Sequence, residues 1–164
     1  MTRLLALPFL VAFACLAAAL YGALHNQISY TIGPSYFTEL KFAQFAIPPE
    51  LHNRAGAALV GVLASWWMGL IIGLPIALIT ALARRPARLF LRATLITLVA
   101  AAIGAALSYG LSLAHSDADL AQTFPQDPSF IRAAALHDGS YIGAALGFLL
   151  ALWRTLRALR DDRR

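Results

Sequence analysis

Charged side chains are scarce in this chain: they account for 13% of its 164 residues, while hydrophobic residues account for 60%. A soluble domain usually contains about 25% charged and about 45–50% apolar residues. The charge is missing in long blocks, since 4–24, 55–83 and 93–114 contain none and 133–153 contains only Asp138. Because about 20 apolar residues are enough for a helix to cross the hydrocarbon core of a bilayer, we predict an all-α, polytopic membrane protein built as a four-transmembrane-helix bundle.

Cysteine is almost absent, and this excludes one class of membrane enzyme. The lone Cys15 lies in the first apolar block and cannot form an internal disulfide. A dithiol mechanism of the four-helix, disulfide-generating type needs cysteine pairs. The same block resembles a signal peptide, but its 21 residues exceed the roughly 7–15 of a signal-peptide apolar region. We therefore expect it to be retained as a helix.

The basic residues are distributed unevenly and indicate an orientation. Ten arginines fall on one side of a four-span topology, and only Lys41, Arg54 and Arg132 fall on the other. An excess of lysine and arginine marks the cytoplasmic side, so we predict that both termini are cytoplasmic. The basic residues behind the net charge of +5 then orient the chain and contact anionic lipid headgroups. It does not form a nucleic-acid surface, and the bilayer is the predicted partner.

The predicted organisation is a single membrane domain over 1–164. Its helices cover about 4–24, 55–83, 89–114 and 131–153, with periplasmic segments 25–54 and 115–130, a cytoplasmic loop 84–88 and a cytoplasmic tail 154–164. Abundant alanine and arginine indicate a bacterial source, and hence the inner membrane. The aromatic-rich segment 25–54 predicts a cap with a short interfacial helix that starts at Ser35. Small residues recur every four positions in each span, which favours close helix packing.

All four histidines map to the predicted periplasmic side, one beside each helix. They are His25, His52, His115 and His137. One histidine per helix at one end of a bundle predicts a site for a transition metal or haem b, although no HxxxH, ExxH or CxxC spacing is present. Tyr30, Tyr141 and Asp138 would then support the imidazoles by hydrogen bonds, and Asp138 has an alternative partner in Arg54 or Arg132. The competing interpretation is a polar cluster that only fixes the helix ends.

Two short stretches carry a resemblance to a known family. "GALHNQISYTIGPSYFTELKFAQF" and "ALHDGSYIG" are similar to a family of small bacterial four-span inner-membrane proteins without an assigned activity. That family has an H-N/D-x-I/V-S-Y stretch after the first helix and H-N-x-S-Y in the last. Asp138 stands where the family pattern has asparagine. The resemblance implies the architecture and no particular activity. The residues that match are His25, Asn26, Ser29, Tyr30, Pro34, Tyr36, Phe37, His137, Ser140 and Tyr141.

Two functional classes remain from the sequence. A coupled transporter is disfavoured because spans two and three have no charged residue in their cores, and ion pathways normally need such groups. The first class is a membrane protein that binds a transition metal or haem on its periplasmic side. The second is a structural or accessory subunit with no cofactor, which would assemble with a membrane-protein partner or with itself. Whether the chain is an enzyme stays open.

Overall fold

The structure, a computed structural model, describes residues 6–123 and 127–161 and is helical, with no strand in those ranges. Five main helices follow one another: α1 (Leu7–Ile32), α2 (Arg54–Thr80), α3 (Pro86–Ser112), α4 (Asp117–Thr123) and α5 (Pro128–Asp161). All but α4 are long and apolar enough to cross a membrane. The predicted all-α, four-span fold is confirmed, and the chain is an integral membrane protein.

The four spans form two tightly packed pairs. α1 packs along α2, and α3 packs along α5, whereas contacts between the two pairs are sparse. Glycine makes each pair possible because backbone lies directly against backbone. A side chain on Gly61 would meet the backbone of Gly22 in α1, and one on Gly104 would meet the backbone of Gly139 in α5. The small-residue faces predicted from the sequence are the faces that pack.

The first helix is longer than its apolar block predicted. We expected an extramembrane segment from residue 25, but α1 continues to Ile32. His25, Asn26 and Ser29 lie on one helical face and are buried, so their polar groups are enclosed by packing and do not end the helix. Helix α5 likewise extends beyond the predicted 131–153, from Pro128 to Asp161.

Residues 33–53, hereafter the cap segment, cover one end of the bundle, hereafter the cap end. The segment contains a π-helical turn, Tyr36–Lys41, then the short helix Phe42–Gln44 and a 3₁₀ turn, Pro49–Leu51. Its apolar core packs on α2 and α5. That core contains Tyr36, Phe37, Phe42 and Ile47, in contact with Ala57, Val60 and Ala133. Ser35 occupies the N-cap position of the Tyr36–Lys41 turn, as predicted, but its side chain makes no capping hydrogen bond. Its Oγ instead lies 3.3 Å from Ser129 Oγ.

Two polar side chains define where α2 and α5 begin. Asn53 Oδ1 accepts hydrogen bonds from the Ala55 and Gly56 amides, a cap that the sequence analysis missed. Asp127 Oδ1 accepts from the Ser129 and Phe130 amides, at 2.8 and 3.1 Å, and Pro128 occupies the first helical position. Hydrogen bonds from Ser129 and Ser35 lower the pKa of the Asp127 carboxyl.

Replacement of Asp127 by alanine is expected to lower the free energy of unfolding by about 1 kcal/mol at neutral pH, because an N-cap is lost. The pKa of Asp127 is depressed in the folded state, so its contribution is complete above the unfolded value of about 3.9 and is lost as the pH falls through the folded value. Detergent-unfolding curves at pH 7 and pH 3 would measure this. Asp127→Asn is the matched control, since asparagine caps without titrating; equal curves for all three proteins would contradict the prediction.

Candidate functional site

Two histidines from different helix pairs meet at the cap end. His25 of α1 and His137 of α5 lie edge to face, with ring centroids 4.6 Å apart and planes at 78°. Only 9% and 7% of their surfaces are exposed. Because the helix pairs otherwise contact each other little, this contact is one of the places where the two halves of the bundle are joined.

The cap segment encloses the His137 side of this contact. The Tyr36 ring stacks on the imidazole with centroids 4.9 Å apart, and Phe37 approaches it edge on at 6.3 Å. His137 Nε2 lies 3.1 Å from Ser29 Oγ. This imidazole is therefore held by a hydrogen bond to α1 and by aromatic packing from the cap segment.

His25 is surrounded differently. Its ring stacks on Tyr21, one turn earlier in α1, with centroids 5.6 Å apart. The Tyr21 hydroxyl lies 2.8 Å from Ser140 Oγ, a second hydrogen bond between α1 and α5. His25 Nε2 is buried but has no hydrogen-bond partner within the described part of the chain. Since buried polar atoms are nearly always satisfied, this nitrogen requires an explanation.

An apolar crevice runs down from the histidine contact between the two helix pairs. Its interior volume is about 110 Å³. The lining consists mainly of small and aliphatic side chains, and α2 alone contributes residues from Val60 to Ile76. Most polar groups lie at the cap end, and the hydroxyls of Ser65, Thr94 and Thr97 lie further along. Both His25 and His137 line it, together with Tyr21, Asn26, Lys41, Ser140 and Tyr141.

The other two predicted histidines lie elsewhere. His52 stacks on Phe42 with ring centroids 4.5 Å apart, and its Nε2 lies 2.9 Å from the Ile47 carbonyl oxygen. That oxygen can only accept, so Nε2 is the donor and is used within the cap segment. His115 is exposed beyond the end of α3, where its carbonyl accepts a hydrogen bond from Arg132. The structure therefore joins two of the four histidines and not a ring of four.

The predicted supporting residues are also dispersed. Tyr30 packs on Phe37 and Phe42 in the cap core, with the Arg54 guanidinium 5.6 Å from its ring centroid. Arg132 forms an ion pair with Asp117 at 2.5 Å. Tyr141 is half-exposed, and its ring centroid lies 6.4 Å from that of His137.

Asp138 is exposed, and its charge interacts with Lys41 of the cap segment. Burial lowers the pKa of the Lys41 amine, and the negative charge of Asp138 opposes that shift. Lys41 Nζ donates to Gln44 Oε1 at 2.9 Å and lies 5.3 Å from the Tyr36 ring centroid. Burial raises the pKa of the Tyr36 hydroxyl above its usual range, so this group stays protonated. The Lys41 amine thus lines the crevice, whereas the exposed Asp138 carboxylate lies outside its lining.

The sequence analysis missed Tyr21 and gave no role to Ser29 at this site. A signal for both was available, because Tyr21, His25 and Ser29 recur every four residues and therefore share one face of a helix. The helical spacing of four residues continues beyond the end of the apolar block at residue 24. Tyr36 and Lys41 had no comparable signal, since their positions depend on how the cap segment folds.

The residues that the structure describes contain no group of three or more His, Cys, Asp or Glu side chains arranged to hold a metal ion. A haem ligated by both His25 and His137 would need its porphyrin plane between the two imidazoles, which instead touch edge to face. The fold and this site define an integral membrane protein with a buried histidine pair above an intramembrane crevice. No protein-family model matches the chain, and neither does any curated protein or solved structure.

Proposed function

We propose that this protein binds a single-chain amphiphile from the surrounding bilayer, with the polar head at the histidine pair and the tail in the crevice. The observation that carries the proposal is the crevice itself, whose histidines, tyrosines and single amine lie at one end with Asn26 and Ser140. The rest of its lining is apolar except for the hydroxyls of Ser65, Thr94 and Thr97. Ligand sites are typically concave, mostly apolar and furnished with a few polar groups that orient the ligand. This arrangement matches the polarity of an amphiphile.

The dimensions support a slender ligand. The crevice follows α2 from Val60 to Ile76, a distance of about 24 Å at about 1.5 Å per residue. That is most of the hydrocarbon thickness of about 30 Å. The volume of about 110 Å³ approaches that of an engineered cavity of about 150 Å³ that holds one benzene. One ring or one chain fits this space better than the two acyl chains of a phospholipid.

Location and orientation form part of the proposal. The chain lies in a bacterial inner membrane with both termini in the cytoplasm, so the cap end and the histidine pair face the periplasm. The support is the charge distribution, because Arg84, Arg85 and Arg88 adjoin the α2–α3 turn and Arg154, Arg157 and Arg160 lie near the end of α5. A ligand would then enter from the outer leaflet. A protein partner or a second copy would have to pack on the exposed apolar faces of the spans.

An accessory role without a ligand is the second candidate, and one observation favours it. The hydrogen bonds between His137 and Ser29 and between Tyr21 and Ser140 both join α1 to α5, so the polar cluster holds the two helix pairs together. The predicted metal or haem site is supported only by the approach of His25 and His137. A transition metal there would need further ligands from the lipid, water or a partner.

The test compares two adjacent alanines in α5. Ala144 lines the crevice, whereas Ala145 is exposed and lies outside it. Native mass spectrometry and organic extraction of the detergent-purified protein are expected to show one co-purified amphiphile per chain. Ala144→Trp should remove it because the indole fills the crevice, and Ala145→Trp should retain it.

The same preparation distinguishes the other candidates. A wild-type protein without bound amphiphile, or equal retention in both tryptophan variants, would overturn the proposal in favour of the accessory role. Stoichiometric metal by elemental analysis, or a haem absorption band that His137→Ala abolishes, would replace it with the metal or haem site.

A further inference from the structure

The histidine pair also indicates what kind of polar head the crevice accepts. Most polar groups at its cap end are already engaged. Tyr21 is bonded to Ser140, Asn26 donates to the Ala57 carbonyl oxygen at 2.9 Å, and His137 is bonded to Ser29. His25 Nε2 is the exception, buried and without a partner among the described residues. His25 therefore offers one buried hydrogen-bonding atom that has no partner among those residues, on a side chain that lines the apolar crevice.

The chemistry of this atom limits the head group. A neutral imidazole nitrogen donates to a carbonyl oxygen in one tautomer and accepts from a hydroxyl in the other. A buried polar atom that gains a hydrogen-bond partner no longer carries the cost of being unsatisfied. The ligand should therefore present one oxygen that is neutral and can be either an acceptor or a donor.

Charge argues against a phosphate head. Lys41 is the only formally charged side chain among the described residues that line the crevice, and its amine already donates to Gln44. Recognition of phosphate usually employs arginine forks or several cations. The Arg54 guanidinium is directed to Thr31 and the Gln27 carbonyl. A phospholipid headgroup would thus meet a single cation, and the nearby Asp138 carboxylate already interacts with that charge.

The flanking groups favour a flat ring. Tyr21 stacks beside His25 at 5.6 Å, and His137 meets it edge on at 4.6 Å. Aromatic rings gain from such offset and edge-to-face contacts. A tail attached to such a ring would follow the apolar lining along α2. We infer that the ligand is a lipid quinone or its quinol, whose ring oxygen bonds to His25 Nε2 and whose tail follows the crevice. This inference rests on the proposed amphiphile site.

The experiment uses the full chain in phosphatidylcholine nanodiscs and two probes that share a tail. One is a decyl-substituted 1,4-benzoquinone labelled with ¹³C at its carbonyl groups, and the other is decylbenzene. The wild type is expected to bind the quinone. The infrared carbonyl stretch of the bound quinone should then shift to lower frequency, because a carbonyl oxygen accepts the hydrogen bond. His25→Leu should weaken quinone binding about tenfold, the effect of one hydrogen bond of about 1.4 kcal/mol, and abolish the shift. Decylbenzene binding should be unchanged.

Two further variants keep the result interpretable. His25→Gln supplies an amide that can donate or accept, so it should restore both affinity and the carbonyl shift. His115→Leu removes an exposed histidine outside the crevice and should behave as wild type. If His25→Leu also fails to bind decylbenzene, the crevice of that variant has collapsed, and His25→Gln becomes the deciding variant. Quinone binding by His25→Gln with the carbonyl shift would support the inference. Absence of quinone binding in His25→Gln would overturn it.

The outcomes separate this inference from the proposed function. Equal binding of both probes, unaffected by His25→Leu, would overturn the quinone assignment while the amphiphile site stands. If extraction yields only phospholipid in the crevice, both the quinone assignment and the single-chain amphiphile are overturned. Failure of the wild type to bind either probe would overturn both.

Discussion

Gly61→Leu is expected to separate α1 from α2 and to lower the unfolding temperature by about 10 °C. Any side chain at Gly61 would overlap the backbone of Gly22 and Ala23, and a backbone cannot yield as a flexible side chain can. Overpacking of this kind costs about 1–3 kcal/mol and sometimes more, and in a domain of this size 1 kcal/mol corresponds to about 2–4 °C. Within a membrane, close backbone approach is a main source of helix association.

The chain contains its own reporter and its own control for this experiment. Cys15, the only cysteine in the chain, is partly buried in α1, and its Cα lies against Gly69 of α2. The temperature at which a fluorogenic maleimide labels Cys15 therefore reports separation of this pair. Gly110→Leu makes the same change on α3, where an added Cβ has nothing within 4 Å, and should leave that temperature unchanged. Equal transitions for the two variants would show that glycine contact does not hold the pair.

The transmembrane architecture could be predicted because lipid imposes few and strong constraints. Every backbone polar group in the hydrocarbon must be satisfied internally, so long apolar blocks are helices. The packing faces could be predicted from small residues alone, as with Gly61 in α2 and Gly139 in α5. The helix ends could not be predicted in this way, because an apolar block ends at the first polar residue even where the helix continues. His25 and Ser29 continue α1 since a helix from the other pair and the cap segment enclose them.

The fate of each histidine could not be predicted, because it depends on neighbours distant in sequence. All four histidines lie near one end of the bundle, which topology alone dictates. His137 faces Ser29, 108 residues away, whereas His52 meets the Ile47 carbonyl only five residues away. The fold of the cap segment decides that difference, since the same segment places Phe42 on His52 and Tyr36 on His137. Helical phase indicates which histidines face inward and does not reveal which ones meet.

The cap segment contributes both to the stability of the fold and to the surroundings of the histidine pair. Phe37 and Phe42 are fully buried at its centre, with ring centroids 5.9 Å apart. Tyr36, next to Phe37, is the residue that stacks on His137. Loss of the cap core should therefore expose the histidine pair. The two helices within each pair should stay together, because glycine contacts deeper in the bundle hold them.

Phe37→Ala is accordingly expected to undock the cap segment while the four spans remain packed. Truncation of a fully buried phenylalanine typically costs about 3–5 kcal/mol, and Phe37 belongs to the apolar core through which the cap segment packs on α2 and α5. Hydrogen–deuterium exchange should accelerate across residues 33–53 and change little at Gly61 or Gly104. Phe9→Ala, at a position 77% exposed on α1, removes the same side chain from the lipid-facing surface and should leave exchange in the cap segment unchanged. Unaltered exchange in Phe37→Ala would mean that other contacts hold the cap segment, and acceleration at both glycines would mean that the cap segment also stabilises the helix pairs.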